Sequence, residues 1–198
     1  MTWVKVCGMK TEHDVAVAVE AGADAVGFVI VPGSPRFVSL AKAVDLADGI
    51  PIEAVLLTYD AEPETVVETL ATTSLTAVQP YGNKRRAVAR ASLEAGHQVY
   101  FPVRAAPGLD PASLPGVPLI DTPSTTQLGG TGRVFDWTMV AGLAVPFVLA
   151  GGLSPQNVSA AITAASPWGV DASSGLERSS GVKDHGMVAD FIMKAKMT

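Results

Sequence analysis

Eight short apolar segments recur along the chain at nearly even intervals, and this spacing limits the folds that the chain can adopt. The segments are Trp3 to Cys7, Ala25 to Val31, Ile52 to Tyr59, Thr76 to Gln79, Gln98 to Val103, Pro118 to Asp121, Pro146 to Ala150 and Gly169 to Ala172. Their starting positions lie 20 to 28 residues apart, which is the length of one strand plus one helix. Such alternation predicts a parallel sheet.

The stretches between these segments carry the signals of helix ends. Thr11 followed by Asp14 has the pattern of a capping box, in which both side chains accept hydrogen bonds from backbone amides at the start of a helix. Gly22 and Gly96 each follow Glu-Ala and precede a strand, which is typical of a glycine that ends a helix. Ser154-Pro155 predicts the start of a further helix.

The crossover between the fifth and sixth strands differs from the others, because prolines and glycines recur through residues 107–116 and disfavour a helix. We therefore predict an α/β fold made of a single domain over residues 1–198. It is a small (β/α)8 barrel, or TIM barrel, whose fifth crossover helix is replaced by a loop. An open doubly wound sheet is the alternative, but no Gly-x-Gly-x-x-Gly motif follows the first strand, which disfavours a dinucleotide site.

Composition narrows the possible partners. The formal net charge of -5 and the absence of a long basic run argue against nucleic acid as a partner. With one cysteine and three widely separated histidines, we expect neither an internal disulfide nor a metal ion. No apolar stretch approaches membrane-spanning length and the first residues lack a signal-peptide pattern, so we expect no membrane association and a cytoplasmic location.

Two reactive side chains stand at the ends of predicted strands. Cys7 is the last residue before Gly8, and Asp121 ends the sixth strand. Active sites of this fold lie at the carboxyl ends of the strands, where a thiol and a carboxyl can act as general base and general acid. Each residue also has a plainer interpretation, since free cysteines are often buried as small apolar residues and an aspartate can cap a loop.

Small residues follow each of the last three strands. They are Gly130, Thr131 and Gly132 after the sixth, Gly151 and Gly152 after the seventh, and Ser173, Ser174 and Gly175 after the eighth. Backbone amides of such turns can surround an anion, and this end of the fold commonly holds phosphate, so we predict a phosphate site. Arg36, in the loop after the second strand, is either a surface residue or a ligand for a substrate carboxylate.

Several ordered segments resemble those of one enzyme family. They are Lys5-Val6-Cys7-Gly8-Met9, Gly22-Ala23-Asp24-Ala25-Val26-Gly27-Phe28, Ser34-Pro35-Arg36-Phe37-Val38-Ser39, Asp121-Thr122, Gly129-Gly130-Thr131-Gly132, Phe135-Asp136-Trp137, Leu149-Ala150-Gly151-Gly152-Leu153 and Asp171-Ala172-Ser173-Ser174-Gly175-Leu176-Glu177. Together and in this order they resemble phosphoribosylanthranilate isomerase.

This resemblance implies an isomerase of tryptophan biosynthesis that needs no cofactor. It would convert N-(5-phosphoribosyl)anthranilate into 1-(o-carboxyphenylamino)-1-deoxyribulose 5-phosphate by an Amadori rearrangement. Asp121 would be the general acid that opens the ribose ring, and Cys7 the general base that removes the C2′ proton. Arg36 would contact the anthranilate carboxylate, and the small-residue turns would hold the phosphate. We expect a monomer whose only partner is this small phosphosugar.

The chain departs from the family pattern after the fourth strand. Gln79-Pro80-Tyr81-Gly82 stands where the family usually has Gln-Leu-His-Gly, so a tyrosine replaces the histidine that would line the anthranilate side of the pocket. Three other functions are weighed against the isomerase. They are a histidine-pathway or dual-substrate phosphoribosyl isomerase, an aldolase-like enzyme with Lys5 as a Schiff-base nucleophile, and a non-catalytic phosphosugar-binding barrel.

Overall fold

Eight parallel strands close into a barrel in the computed structural model, which describes residues 1–106, 108–121 and 136–198. Each strand pairs with its neighbours in sequence, and the last strand pairs with the first. The strands are β1 Trp3–Cys7, β2 Ala25–Val29, β3 Glu53–Tyr59, β4 Ala77–Tyr81, β5 Gln98–Arg104, β6 Val117–Asp121, β7 Val148–Leu149 and β8 Gly169–Ala172. The predicted (β/α)8 barrel is confirmed.

Six α-helices lie among the described residues. They are α1 Glu12–Glu20, α2 Leu40–Ala47, α3 Pro63–Thr72, α4 Arg85–Glu94, α5 Val158–Ala165 and α6 His185–Met197. In its described part, the fifth crossover contains only a 3-10 turn at Pro111–Ser113, as the proline and glycine content predicts. A second 3-10 turn, Trp137–Val140, precedes β7.

The chain after β8 forms a small hairpin before α6. A 3-10 turn at Ser174–Leu176 leads into two antiparallel strands, β9 Glu177–Ser179 and β10 Val182–Lys183. We refer to residues 177–183 as the β9–β10 hairpin. It lies beside the loop that follows β2, because a Cβ atom on Gly181 would approach the carbonyl oxygen of Pro35 to 2.1 Å. Glycine is therefore required at this contact.

Two of the predicted helix signals are confirmed and one is wrong. Asp14 donates its amide to the Thr11 hydroxyl and accepts from the Thr11 amide, which is the predicted capping box. Gly22 and Gly96 both have positive φ just after a helix. The helix predicted from Ser154-Pro155 begins only at Val158.

The later start of α5 has a cause in the side chain of Asn157. Its Oδ1 accepts from the amide of Ser154 at 2.8 Å, and its Nδ2 donates to the carbonyl of Gly152 at 3.0 Å. These bonds fold residues 154–157 into a turn that precedes the helix. The same side chain therefore fixes the loop after β7 as well as the start of α5.

Strand side chains alternate between two cores. Those that point outward, such as Val4, Val6 and Val170, pack with the helices in the larger core. Those that point inward form a second cluster within the barrel, which includes Val55 and Leu119. The helices thus cover the outer face of the sheet, while the inner face is filled by the strands themselves.

Aromatic rings close the barrel at the amino ends of its strands. Trp3 stacks on Trp168 and on Tyr100, with ring centroids 5.1 and 5.0 Å apart, and Tyr100 donates its hydroxyl to Glu53. The opposite end of the barrel is the open one. Across the described ranges, no helix is long and apolar enough to cross a membrane.

The packing of α6 predicts a large difference between two substitutions on that helix. Phe191 is fully buried in the outer core, whereas the side chain of Met193 is half exposed. Phe191→Ala should lower the free energy of unfolding by ~3–5 kcal/mol, because it leaves a cavity. Met193→Ala should change it by less than about 0.5 kcal/mol. Urea denaturation measures both, and equal losses would contradict this account of the core.

Candidate active site

A pocket with a volume of about 150 Å³ opens at the carboxyl ends of the strands. The structure brings together there every described residue that was predicted for the site: Cys7, Arg36, Asp121, Gly151, Gly152, Ser173, Ser174 and Gly175. Gly130, Thr131 and Gly132 lie outside the described residues. The pocket therefore combines a thiol, a carboxyl, a guanidinium and two small-residue turns, as expected for a phosphosugar site.

Cys7 lies at the base of this pocket and is almost fully buried. Gly27 is its neighbour in β2, where a Cβ atom would come within 3.1 Å of the Cys7 Sγ. The carbonyl of Gly27 accepts hydrogen bonds from the amides of Gly8 and Met9, which end β1 beside it. On the other side, the Ser173 hydroxyl donates to the Cys7 carbonyl at 3.0 Å. The backbone that carries the thiol is thus held by both neighbouring strands.

Burial raises the pKa of the Cys7 thiol above its ordinary value. Lys5 is the strongest influence that opposes this shift, followed among the cations by Lys183 and Arg36, whereas Asp171 adds to it. Lys5 donates to Asp171 at 2.8 Å inside the barrel, so its charge is shared with a carboxylate. The resting site therefore favours the thiol over the thiolate near neutral pH.

Arg36 lies over the end of β1, next to the residue that bears the thiol. Gly8 has φ +86°, and a Cβ atom there would come within 2.7 Å of the Arg36 Cδ, so glycine makes room for the arginine. The Arg36 guanidinium forms a two-pronged ion pair with Glu177 of the β9–β10 hairpin. Arg36 is consequently a fixed part of the pocket wall.

The two described small-residue turns contact each other directly. A Cβ atom on Gly175 would lie 2.0 Å from the carbonyl oxygen of Leu153, so no other residue fits between these loops. Gly151 and Gly152 have φ of +84° and +67°, the region that favours glycine. This packing makes the loops after β7 and β8 one continuous wall of the pocket.

Tyr81 brings a phenol into the same pocket at the position where the family usually has histidine. Its hydroxyl accepts a hydrogen bond from Gln79 Nε2 at 2.8 Å. Burial, together with the nearby Asp121 and Cys7, raises the Tyr81 pKa well above its ordinary value. The phenol is therefore neutral and can donate its own proton to a ligand.

A metal site is not formed by the described part of the chain, where no group of three or more His, Cys, Asp or Glu could hold an ion. Two of the three histidines are nevertheless brought together by the fold. The rings of His13 and His185 lie 4.2 Å apart, and His185 is paired with Asp14 at 2.8 Å. Their separation in the sequence concealed this contact between α1 and α6.

Comparison with known proteins assigns the chain to a family. A family model described as N-(5'-phosphoribosyl)anthranilate (PRA) isomerase matches residues 4–194. The chain belongs to this family. A relative from Halobacterium salinarum, an N-(5'-phosphoribosyl)anthranilate isomerase, is 39% identical in an alignment that covers 100% of this chain and 97% of the relative.

Solved structures of PRA isomerases share the same barrel. Monomers generated from the dimeric phosphoribosylanthranilate isomerase of Thermotoga maritima align with a TM-score of 0.84 and 32% identity over 100% of both chains. A PRA isomerase in complex with reduced 1-(o-carboxyphenylamino)-1-deoxyribulose 5-phosphate aligns with a TM-score of 0.85 and 32% identity, again over 100% of both chains. The agreement extends from end to end.

Sequence reasoning missed three side chains that shape the pocket of this PRA isomerase family member. Glu177 binds Arg36 and is itself bound by Lys183, and Asn157 holds the loop after β7. Only Glu177 fell within a recognised motif, and no role was assigned to it. Arg36 and Glu177 are distant from each other in the sequence, so no local pattern identifies their pairing.

The electrostatics around Cys7 predict how its thiol titrates. Because Cys7 is the only cysteine, the rise in thiolate absorbance with pH, measured against Cys7→Ser, reports this group alone. We expect a midpoint above that of an ordinary cysteine, since burial outweighs the nearby cations. Lys5→Met should move the midpoint higher still, because it removes the strongest opposing charge. A midpoint that falls in this variant would contradict the assigned influence of Lys5.

Proposed function

We propose that this chain catalyses the Amadori rearrangement of N-(5-phosphoribosyl)anthranilate to 1-(o-carboxyphenylamino)-1-deoxyribulose 5-phosphate, a step of tryptophan biosynthesis. The observation that carries the proposal is the shared pocket. Cys7 at the end of β1 and Asp121 at the end of β6 both line it, together with Arg36 and two small-residue turns. A family member that binds the reduced form of this product supports the same class of ligand.

The substrate has two charged ends, and the pocket offers a separate place for each. We assign its phosphate to the turns after β7 and β8, where Gly151, Gly152 and Ser173–Gly175 line the pocket. Gly130, Thr131 and Gly132 complete this assignment as predicted from the sequence. The anthranilate carboxylate is assigned to Arg36. Binding at both ends would hold the ribose between Cys7 and Asp121.

The first chemical step opens the ribose ring. Asp121 donates a proton to the ring oxygen as the bond between that oxygen and C1′ breaks, and the anthranilate nitrogen supplies the electron pair that forms the C=N bond. The product is a protonated Schiff base. Its positive charge makes the proton on C2′ more acidic, so a base of modest strength can remove it.

The second step moves the proton from C2′. Cys7, as the thiolate, takes this proton, the electron pair of the C–H bond forms the C1′=C2′ double bond, and the C=N electrons return to nitrogen. The resulting enolamine tautomerises to the ketone. The cationic Schiff base lies against the thiol at this stage, and a nearby positive charge favours the thiolate. Substrate thereby offsets the effect of burial on Cys7.

The other functions considered fit the pocket less well. A histidine-pathway isomerase would use carboxylates as both acid and base, whereas a thiol ends β1 here. An aldolase-like role for Lys5 needs an accessible amine, but Lys5 is fully buried and paired with Asp171. A non-catalytic barrel needs neither Cys7 nor Asp121. We retain a single barrel domain, a cytoplasmic monomer and the absence of a cofactor as predictions.

Substitution of the proposed base and acid tests this mechanism. Cys7→Ser and Asp121→Asn should each lower kcat for loss of phosphoribosylanthranilate fluorescence by ~10²–10⁴-fold, because each removes one proton-transfer group. Titration calorimetry with the reduced product analogue should show binding close to that of the wild type. Asp190→Asn, the same change on the surface of α6, serves as the control and should keep full activity.

Wild-type protein without activity on this substrate would overturn the proposed function, and full activity of either variant would overturn the mechanism. The histidine-pathway substrate is assayed in parallel. Turnover of that substrate alone would replace the proposal with the alternative isomerase, and turnover of both would make this a dual-substrate enzyme.

The carboxylate assignment predicts a different kinetic signature for Arg36. Arg36→Ala should raise KM by ~10–100-fold, the value of one or two charge-assisted hydrogen bonds, while kcat falls much less. The effect on KM arises because the guanidinium contacts a group remote from the reacting carbon. Arg90→Ala, on the exposed face of α4, provides a matched arginine control. Unchanged kinetics of Arg36→Ala would reject this assignment.

A further inference from the structure

We propose that Glu177 and Lys183 of the β9–β10 hairpin are positioning residues for recognition of the substrate carboxylate. Glu177 holds one edge of the Arg36 guanidinium, Lys183 fixes Glu177, and the other edge of the guanidinium is left for the ligand. The inference rests on the proposed function and adds to it the parts of the structure that prepare Arg36 for its ligand. Neither residue is itself placed against the reacting atoms.

The ion pair uses a defined part of the guanidinium. Arg36 Nε donates to Oε1 of Glu177 at 2.6 Å, and Nη2 donates to Oε2 at 3.0 Å. A guanidinium has five N–H groups in a rigid plane, so Glu177 occupies one edge and the edge formed by Nη1 and Nη2 remains. Within residues 1–106, 108–121 and 136–198, Nη1 donates no hydrogen bond. That edge can bind a second carboxylate in the same two-pronged way.

Glu177 can orient Arg36 because its own carboxylate is fixed. Oε1 also accepts from Lys183 Nζ at 3.3 Å, and Oε2 also accepts from the Gly181 amide at 3.0 Å. The side chain is 4% exposed. Each oxygen therefore has two donors, and rotation of the carboxylate would break several hydrogen bonds at once.

Lys183 supplies the charge that makes this arrangement attractive to an anion. Arg36 and Glu177 alone would form a neutral pair, and a second carboxylate would gain little from binding to it. Lys183, whose side chain is 1% exposed, brings the net charge of the cluster to +1 when it is protonated. Burial lowers the pKa of Lys183, and Glu177 is the strongest influence that opposes the change. Glu177 therefore favours the charged form of Lys183 against the effect of burial.

The same cluster is joined to the strand that carries the thiol. Lys183 Nζ donates to the Ser173 carbonyl at 3.0 Å, and the Ser173 hydroxyl donates to the Cys7 carbonyl at 3.0 Å. Gly8, the residue after Cys7, packs against the Arg36 side chain. These contacts fix the distance between the guanidinium and the thiol, so a carboxylate held at Arg36 places the rest of the substrate relative to Cys7.

Two ligands separate positioning of the carboxylate from general damage to the pocket. One is the reduced product analogue, and the other is the same molecule without its ortho-carboxyl group. The ratio of their Kd values measures what the carboxylate contributes. For the wild type we expect a preference of ~10-fold or more for the carboxylated ligand, the effect of a charge-assisted hydrogen-bond pair.

The inference predicts that Glu177→Asp, whose shorter side chain no longer holds the guanidinium, and Lys183→Met, which removes a positive charge, each bring this ratio to within about twofold of unity. Glu177→Gln weakens the hold on Arg36 but also removes a negative charge, so it should lower the ratio less. Glu177→Gln added to Arg36→Ala should change the ratio no further, since the two residues act as one unit. Arg178→Ala, on the exposed side of the same hairpin, should keep the wild-type ratio.

Variants that weaken the binding of both ligands equally, and so preserve the ratio of the two Kd values, would show a merely structural role and overturn the inference. A wild-type ratio near unity would overturn it as well. Neither result touches the proposed function, which stands or falls on turnover of phosphoribosylanthranilate by the wild-type protein. Variants in which the ratio falls to near unity, while the affinity for the ligand without the carboxyl group is retained, would establish the positioning role.

Discussion

The barrel closes where β1 meets β8, and a buried ion pair lies on this seam. Lys5 and Asp171 are partners in the strand register, and their side chains meet at 2.8 Å inside the barrel. Removal of one member of such a pair leaves an unpaired charge in the core and lowers the free energy of unfolding by ~3–5 kcal/mol. Two residues further along, the same strands carry Cys7 and lead to Ser173. The pair therefore supports the closure of the fold and also sets the charge beneath the pocket.

This arrangement explains why the site is assembled from both ends of the chain. The period of two along a strand places Lys5 and Cys7 on the inner face together, and it does the same for Asp171 and Ser173. Closure of the barrel then brings the residues of β1 beside those of β8 and the loop after it. Arg36 and Glu177, which are distant in sequence, meet above them. Each of these contacts depends on the strand register, so a change in the pairing of β1 with β8 would alter the whole pocket.

Much of this structure could be predicted from the sequence, for a physical reason. Strand spacing and the residues at strand ends are local properties, so the barrel, the loop in the fifth crossover and the exposure of Cys7 and Asp121 to one pocket followed from them. The start of α5 was misplaced because Asn157 folds back onto the preceding loop. The partners of Arg36 could not be predicted, since they depend on how the β9–β10 hairpin packs beside the pocket.

The burial of the Cys7 thiol also affects how readily this residue is oxidised. Peroxides attack the thiolate, and they need access to it. Cys7 is 5% exposed and its pKa is raised, so the resting protein presents little thiolate to an oxidant. In the mechanism that we propose, the thiolate forms when a cationic intermediate fills the pocket and excludes other reagents. If Cys7 acts as the base that we propose, it is in this way protected from irreversible damage between catalytic cycles.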